Sequence, residues 1–211
     1  MTHPYWPLFD LRVRTPRLEL RPGSDEDVTA LARLAREGIH DPEFMPFLQP
    51  WTRRTGLERE TLQWHWRQRA DWSPGSWCLG FVVLVNGEVV GTQDVRGTDF
   101  AVTRTVSSGS WLGRRHQGHG LGKEMRAAML HFAFAGLEAE EARSSAFFDN
   151  APSIAVSRAL GYGEDGVDVL NREGQPVTSV RFRLGRQAWE KTRRQDITIE
   201  GLEPCLALFG L

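Results

Sequence analysis

Arg17 to Arg21 (RLELR) alternates polar and apolar residues, the period of a half-buried strand. Ser24 and Asp27 then have the spacing of a capping box and predict a helix through about Glu37, with Leu31, Leu34 and Ala35 on its buried face. Asp41 to Thr55 is rich in proline and aromatic residues (DPEFMPFLQPW) and reads as an irregular segment with apolar anchors. Leu57 to Ala70, carrying Trp64 and Trp66, reads as a second helix. Trp77 to Val85 and Glu88 to Val95 are strands joined by Asn86-Gly87, the favoured two-residue hairpin turn. Thr105 to Leu112 reads as one further strand. After a loop rich in glycine and basic residues, Gly113 to Gly122, a helix is predicted over Leu121 to Leu137. Its buried stripe is Leu121, Met125, Ala128, Met129 and Phe132. Ala142 to Asp149 is a strand. Asn150 can cap a helix through Leu160 that Gly161 ends, and Tyr162 begins another extended stretch. Val177 to Leu184 is a final long strand, and the apolar tail from Ile197 can dock on the core or on a second subunit.

This order predicts a single mixed α/β domain over 1–211, built on one central sheet, with a core at about 15–185 and a tail at 186–211. The net charge is −1 and the pI near 6.6, so no global positive field favours nucleic acid or an anionic membrane. The two cysteines, Cys78 and Cys205, form neither a CxxC pair nor a zinc pattern. With no signal-like or membrane-length apolar run, the expectation is a cytoplasmic protein.

The candidate chemistry lies in Ser110 to Glu124, SWLGRRHQGHGLGKE: a strand, a loop holding Gly118, Gly120 and Gly122, and at once a helix. Unpaired N–H groups at a helix N-terminus suit a phosphate group, and glycine lets the backbone approach it closely. Arg114, Arg115 and Lys123 add charge at the rim. A Walker A loop would need Gly at 117 and Ser or Thr at 124, where the chain has Gln117 and Glu124. A Rossmann fingerprint counted from Gly118 would need Gly at 123, where the chain has Lys123. His116 and His119 have no third ligand nearby, so no metal site is expected.

What remains, Gln117-x-x-Gly120-x-Gly122 between a strand and an amphipathic helix, resembles the pyrophosphate loop of the GNAT acyltransferase superfamily, Q/R-x-x-G-x-G/A. GSWL resembles the splayed strand that pairs with pantetheine. Asn150-Ala-Pro-Ser153 followed by Leu160-Gly161-Tyr162 is similar to the family's N-x-x-S…GF stretch. Within the superfamily the chain looks most like the RimJ/RimL branch. WPLFDLR, PW and GSWLG…QGHG are similar to mycobacterial members described as succinyltransferases.

The resemblance implies a central, mostly antiparallel twisted sheet with a V-shaped splay. It implies an N-acyltransferase that moves an acetyl or succinyl group from acyl-coenzyme A to a primary amine: a protein N-terminus, a lysine or a small amine. It places the coenzyme on Trp111, Leu112, Gln117, Gly118, His119, Gly120, Leu121, Gly122, Lys123, Asn150 and Ser153, with an oxyanion donor at the Leu112 N–H. Many relatives protonate the leaving thiolate with a tyrosine seven residues after the asparagine. That position here is Ser157, which leaves Ser153 as the alternative. Asp94 or Asp149 is the candidate base, or a water chain replaces both. Trp51 is the candidate wall of an acceptor pocket, and Arg53, Arg54 or Arg96 could meet a succinyl carboxylate. A coenzyme-binding sensor without catalysis is the alternative function, and a homo-oligomer is an open possibility.

Overall fold

Ser24 and Asp27 do cap each other. The Asp27 N–H donates to Ser24 Oγ and the Ser24 N–H to Asp27 Oδ2, both at 3.1 Å, which satisfies two donors that would otherwise be orphaned at a helix start. The computed structural model describes residues 3–211, and this cap opens α1, Asp25–Glu37. α2 is Leu57–Ala70, the range its sequence pattern predicts. β1 (Arg12–Arg14) and β2 (Glu19–Pro22) precede α1. β3 (Ser76–Val85) and β4 (Glu88–Thr98) form the hairpin, with Asn86 at φ 49° and Gly87 at φ 82°, the left-handed pair that a tight antiparallel turn requires.

The one strand predicted over Thr105 to Leu112 is two: β5 (Thr105–Ser107) and β6 (Ser110–Leu112). Both keep one register against β4, with Ser107 opposite Arg96 and Ser110 opposite Gln93. The break at Ser108-Gly109 has a local cause. Asp94 Oδ1 accepts the Gly109 N–H at 2.7 Å, taking the donor that the ladder would have used, and Gln93 Nε2 donates to the Asp94 and Gly109 carbonyls. A short helix, α3 (Phe100–Thr103), separates β4 from β5. α4 is Leu121–His131 and runs on as a π-turn over Phe132–Gly136, so it spans the predicted length with a widened last turn. β7 (Glu141–Phe147), α5 (Ala151–Ala159), β8 (Gly163–Arg172) and β9 (Gln175–Gly185) follow.

The strands order as β10-β1-β2-β3-β4-β5-β7-β9-β8, where β10 is Thr198–Glu200. Every pairing is antiparallel except β5 with β7, and β6 pairs with β4 alone. The sheet therefore divides: β5 and β7 pair as far as Ser107 and Arg143, then β6 stays with β4 while β7 continues with β9. The tail packs on its own chain. After α6 (Arg186–Glu190), β10 adds to β1, and Phe209 packs edge-on against the stacked pair Trp72 and Trp77, with ring centroids at 5.3 and 4.9 Å.

His65, on the α2 face against β3, is buried, and burial pushes its imidazole down to about 4. Between the ordinary value near 6.5 and that depressed value, the unfolded chain takes up a proton that the folded chain refuses. Stability therefore falls as pH drops through this window, by up to about 1.4 kcal/mol per pH unit from this group. Urea unfolding at pH 7, 5.5 and 4.5 should show that slope, and His65→Phe should flatten it.

Candidate active site

The divided sheet makes a gap with unequal walls. Gly113 N–H donates to the Val90 carbonyl and Asp94 N–H to the Gly109 carbonyl, so residues 109 and 113 face β4. Alternation along an antiparallel strand then turns the Ser110 and Leu112 N–H groups away from β4, into the gap toward β7. The same alternation sends the Ser110 and Leu112 side chains to the α4 face and Trp111 to the other. There Trp111 meets Trp51, which in turn meets Phe47, at 5.8 and 5.3 Å between ring centroids.

At the end of β6 the chain bends into the glycine loop. Gln117 does not point outward: its Nε2 donates to the Ile39 and Leu112 carbonyls at 2.6 and 2.9 Å and ties the loop to the end of α1. Gln117→Ala should cost about 1–2 kcal/mol by leaving these carbonyls without that donor. It should also weaken coenzyme binding several-fold, read by denaturation and calorimetry. Gly118 and Gly120 lie at φ 80° and 76°, the left-handed region. Gly122 does not, and a Cβ there would meet only Leu112 Cδ1, at 3.7 Å. Among the described residues, the N–H groups of residues 118–123 meet no acceptor, while Glu124 N–H reaches the Gly120 carbonyl. His119, Leu121 and Lys123 thus sit on a run of free donors at the start of α4.

Glu124 is buried behind the loop. It accepts from Thr15 Oγ1 and Arg17 Nε, each at 2.6 Å, and Arg17 also reaches the His119 carbonyl. Burial would raise the Glu124 carboxyl, but these donors hold it below its ordinary value. Beside the loop, a groove of about 560 Å³ is lined by Gly120, Lys123, Trp189, Arg17, Arg193 and Arg194. The last three cations were not singled out by sequence reasoning, because they come from the β1–β2 turn and the tail and converge only in the fold.

Asp94 is a buried carboxylate rather than a solvated one. Burial raises its pKa, opposed by Arg96 at 2.8 Å and by the Gly109 N–H. Asp149 is bound to Arg172 at 2.6 and 3.1 Å, and that guanidinium holds it ionised below the usual carboxylate range. Asn150 Oδ1 accepts the Ser153 N–H at 3.2 Å, so Asn150 caps α5 and Ser153 sits half-buried on its first turn. Ser157 is fully buried, and among the described residues its hydroxyl meets no partner. Arg53, Arg54 and Arg96 pair with Glu173, Glu60 and Asp94. Burial pushes Cys78 up to about 12 and Cys205 up to about 11, so neither offers a thiolate.

The sequence model of the Acetyltransferase (GNAT) domain matches residues 17–163, which takes in the divided sheet, the glycine loop and α5. The chain belongs to this family. GNAT membership carries N-acetyltransferase chemistry with an acyl-coenzyme A donor. Solved structures share the fold. Mycobacterium smegmatis RimJ in complex with CoA-disulfide superposes with a TM-score of 0.69 at 20% identity, over 86% of this chain and 90% of that one. RimL, a ribosomal L7/L12 alpha-N-protein acetyltransferase in complex with coenzyme A, gives 0.62 at 19% identity over 82% and 97%. A spermidine N-acetyltransferase SpeG chimera from Vibrio cholerae and hSSAT gives 0.66 at 15% identity over 82% and 98%.

Proposed function

We propose that this GNAT protein transfers an acetyl or succinyl group from coenzyme A directly to a primary amine, on a protein N-terminus, a lysine or a small molecule. The observation that carries the reading is the run of free N–H groups at 118–123, ending a strand whose own free N–H groups line the sheet gap. The diphosphate lies on the loop, where partial positive charge at the helix start and Lys123 oppose its charge. The 3′-phosphoadenosine lies in the basic groove next to it. Pantetheine enters the gap along the free edge of β6, beside Trp111 and Leu112, and is flanked by Asn150 and Ser153.

The Leu112 N–H, turned into the gap, stabilises the oxyanion formed when the amine attacks the thioester carbon. Attack is direct in this reading, and burial keeps both cysteine thiols protonated, so neither supplies a thiolate nucleophile. Asp94 takes the amine proton, through water where needed. Its raised pKa brings it nearer the range where a base is effective. Trp51, Phe47 and Trp111 wall the acceptor on the face opposite α4.

The test is thiol release from acetyl- and succinyl-coenzyme A against a panel of amines, with products identified by mass spectrometry. Release that depends on the amine supports the reading. Tight binding with no amine-dependent release would make the chain a sensor instead.

A further inference from the structure

Phe47 and Trp51 stand on a segment with little regular structure of its own. Residues 41–55 carry Pro42, Pro46 and Pro50, and their one helical turn is Trp51–Arg53. A stretch so poor in backbone hydrogen bonds takes its shape from what grips it at the sides. Two arginines do so, in opposite directions. Arg172, at the end of β8, donates from Nη1 to the Met45 carbonyl at 3.0 Å. Arg53, within the segment, donates from Nη1 to Glu173 at 2.6 Å and from Nη2 to the Pro42 carbonyl at 2.9 Å. Neighbouring residues of one hairpin tip thus hold the segment at two points.

The tip is built to stay in place. Glu173 and Gly174 take the left-handed pair φ 52° and 85°, and Asn171 Oδ1 accepts the Gly174 N–H at 2.8 Å. Arg172 is anchored as well. Its two Nη groups meet the Asp149 carboxylate at 2.6 and 3.1 Å, and its guanidinium carbon lies 4.6 Å from the Phe147 ring centroid. The side chain is only 16% exposed. One planar fork therefore joins the hairpin tip, the turn after β7 and the aromatic segment. That turn has bonds of its own: Phe148 N–H reaches the Thr178 carbonyl at 2.9 Å and Asn150 N–H the Phe147 carbonyl at 2.8 Å. Losing Arg172 thus loosens the aromatic segment before it loosens α5.

We propose that Arg172 is a positioning residue for the amine acceptor. It fixes the wall made by Phe47 and Trp51 against the turn that opens α5, beside the coenzyme. This rests on the acyl-transfer reading and its acceptor wall. Asp149 is then the anchor of Arg172 rather than a base. The Arg53–Glu173 pair is a second tie, more exposed and of smaller weight.

Arg172→Met, which keeps an apolar stem over Phe147, tests the role by hydrogen exchange and by kinetics with acetyl-coenzyme A. The amine probes are a peptide bearing a free N-terminus and one lysine, and 2-phenylethylamine. Exchange should quicken at least about fivefold over residues 41–55 and stay level elsewhere. KM for the amine should rise roughly tenfold, the scale of one hydrogen bond to a charged group. KM for acetyl-coenzyme A should stay within about twofold. Arg172→Lys should recover only part of the loss, because an ammonium lacks the fork that spans carboxylate and carbonyl. Asp149→Asn should raise the same KM about threefold.

Faster exchange over 41–55 with the amine KM unchanged would make the contact merely structural and overturn the proposal. So would an equal rise in both KM values, or faster exchange throughout the chain. A fall in kcat without a rise in KM for Asp149→Asn would make that residue a base and overturn it too. In each of these cases wild type still releases thiol with an amine, and the inference fails alone. If wild type binds coenzyme A but releases thiol with neither amine, the transferase reading fails and takes the inference with it.

Discussion

Gly122→Val should abolish coenzyme A binding while the fold stays intact. Gly122 is the second residue of α4 and does not carry a left-handed φ, so valine there meets no backbone strain. Its nearest protein neighbour to an added Cβ is at ordinary contact distance. Nothing within the chain requires glycine at this point, and a helix prefers almost any other residue. In the proposed complex the requirement is external: the diphosphate approaches the backbone where branched methyl groups would stand. Affinity should fall at least about 100-fold, or roughly 3 kcal/mol, with stability unchanged within about 0.5 kcal/mol. Gly122→Ala, adding one methyl, should lose only a few-fold. Calorimetry for binding and chemical denaturation for stability separate the two effects. The same substitutions at Gly120 would confuse them, because φ 76° strains any side chain.

Gly91→Ala should damage stability and turnover together. Gly91 lies opposite Leu112 in the β4–β6 ladder. A Cβ there would fall 2.3 Å from the Trp111 carbonyl oxygen and 3.0 Å from the Leu112 Cα. These are backbone atoms and cannot swing aside as a side chain could. Either β6 moves away from β4 or the pairing breaks. The cost should be about 2–3 kcal/mol, a melting-temperature loss of roughly 5–10 °C for a domain of this size. In the proposed reaction any displacement also carries the Leu112 N–H off the oxyanion, so kcat should fall at least about 10-fold in the fraction that remains folded. Thermal unfolding and steady-state kinetics on the same preparation check both.

These two glycines show which parts of the site were legible before the structure. The spacing of Gln117, Gly120 and Gly122 pointed to a phosphate cradle, because backbone donors and the absence of a side chain are local properties. α2, the Asn86-Gly87 hairpin and the Ser24/Asp27 cap were equally local and came through at their predicted places. The break between β5 and β6 was not legible, since it depends on Asp94 reaching across the sheet to Gly109. The side chain of Gln117 braces the loop from inside, a contact that the spacing alone does not announce. Arg17 lies far along the chain from the adjacent pair Arg193 and Arg194, and only the packing of the tail and the β1–β2 turn against α4 gathers them. The burial of Arg126 beside the α4 stripe and of Tyr162 after the helix stop was not legible either, since it depends on how α4 and α5 pack on the sheet.

The most direct test of the whole account is a calorimetric titration of the wild-type chain with coenzyme A, and in parallel with ATP. One site per chain for coenzyme A, with a dissociation constant between about 1 µM and 1 mM and at least about tenfold tighter than for ATP, is the predicted result. No heat with millimolar coenzyme A, or equal affinity for the two ligands, would contradict it.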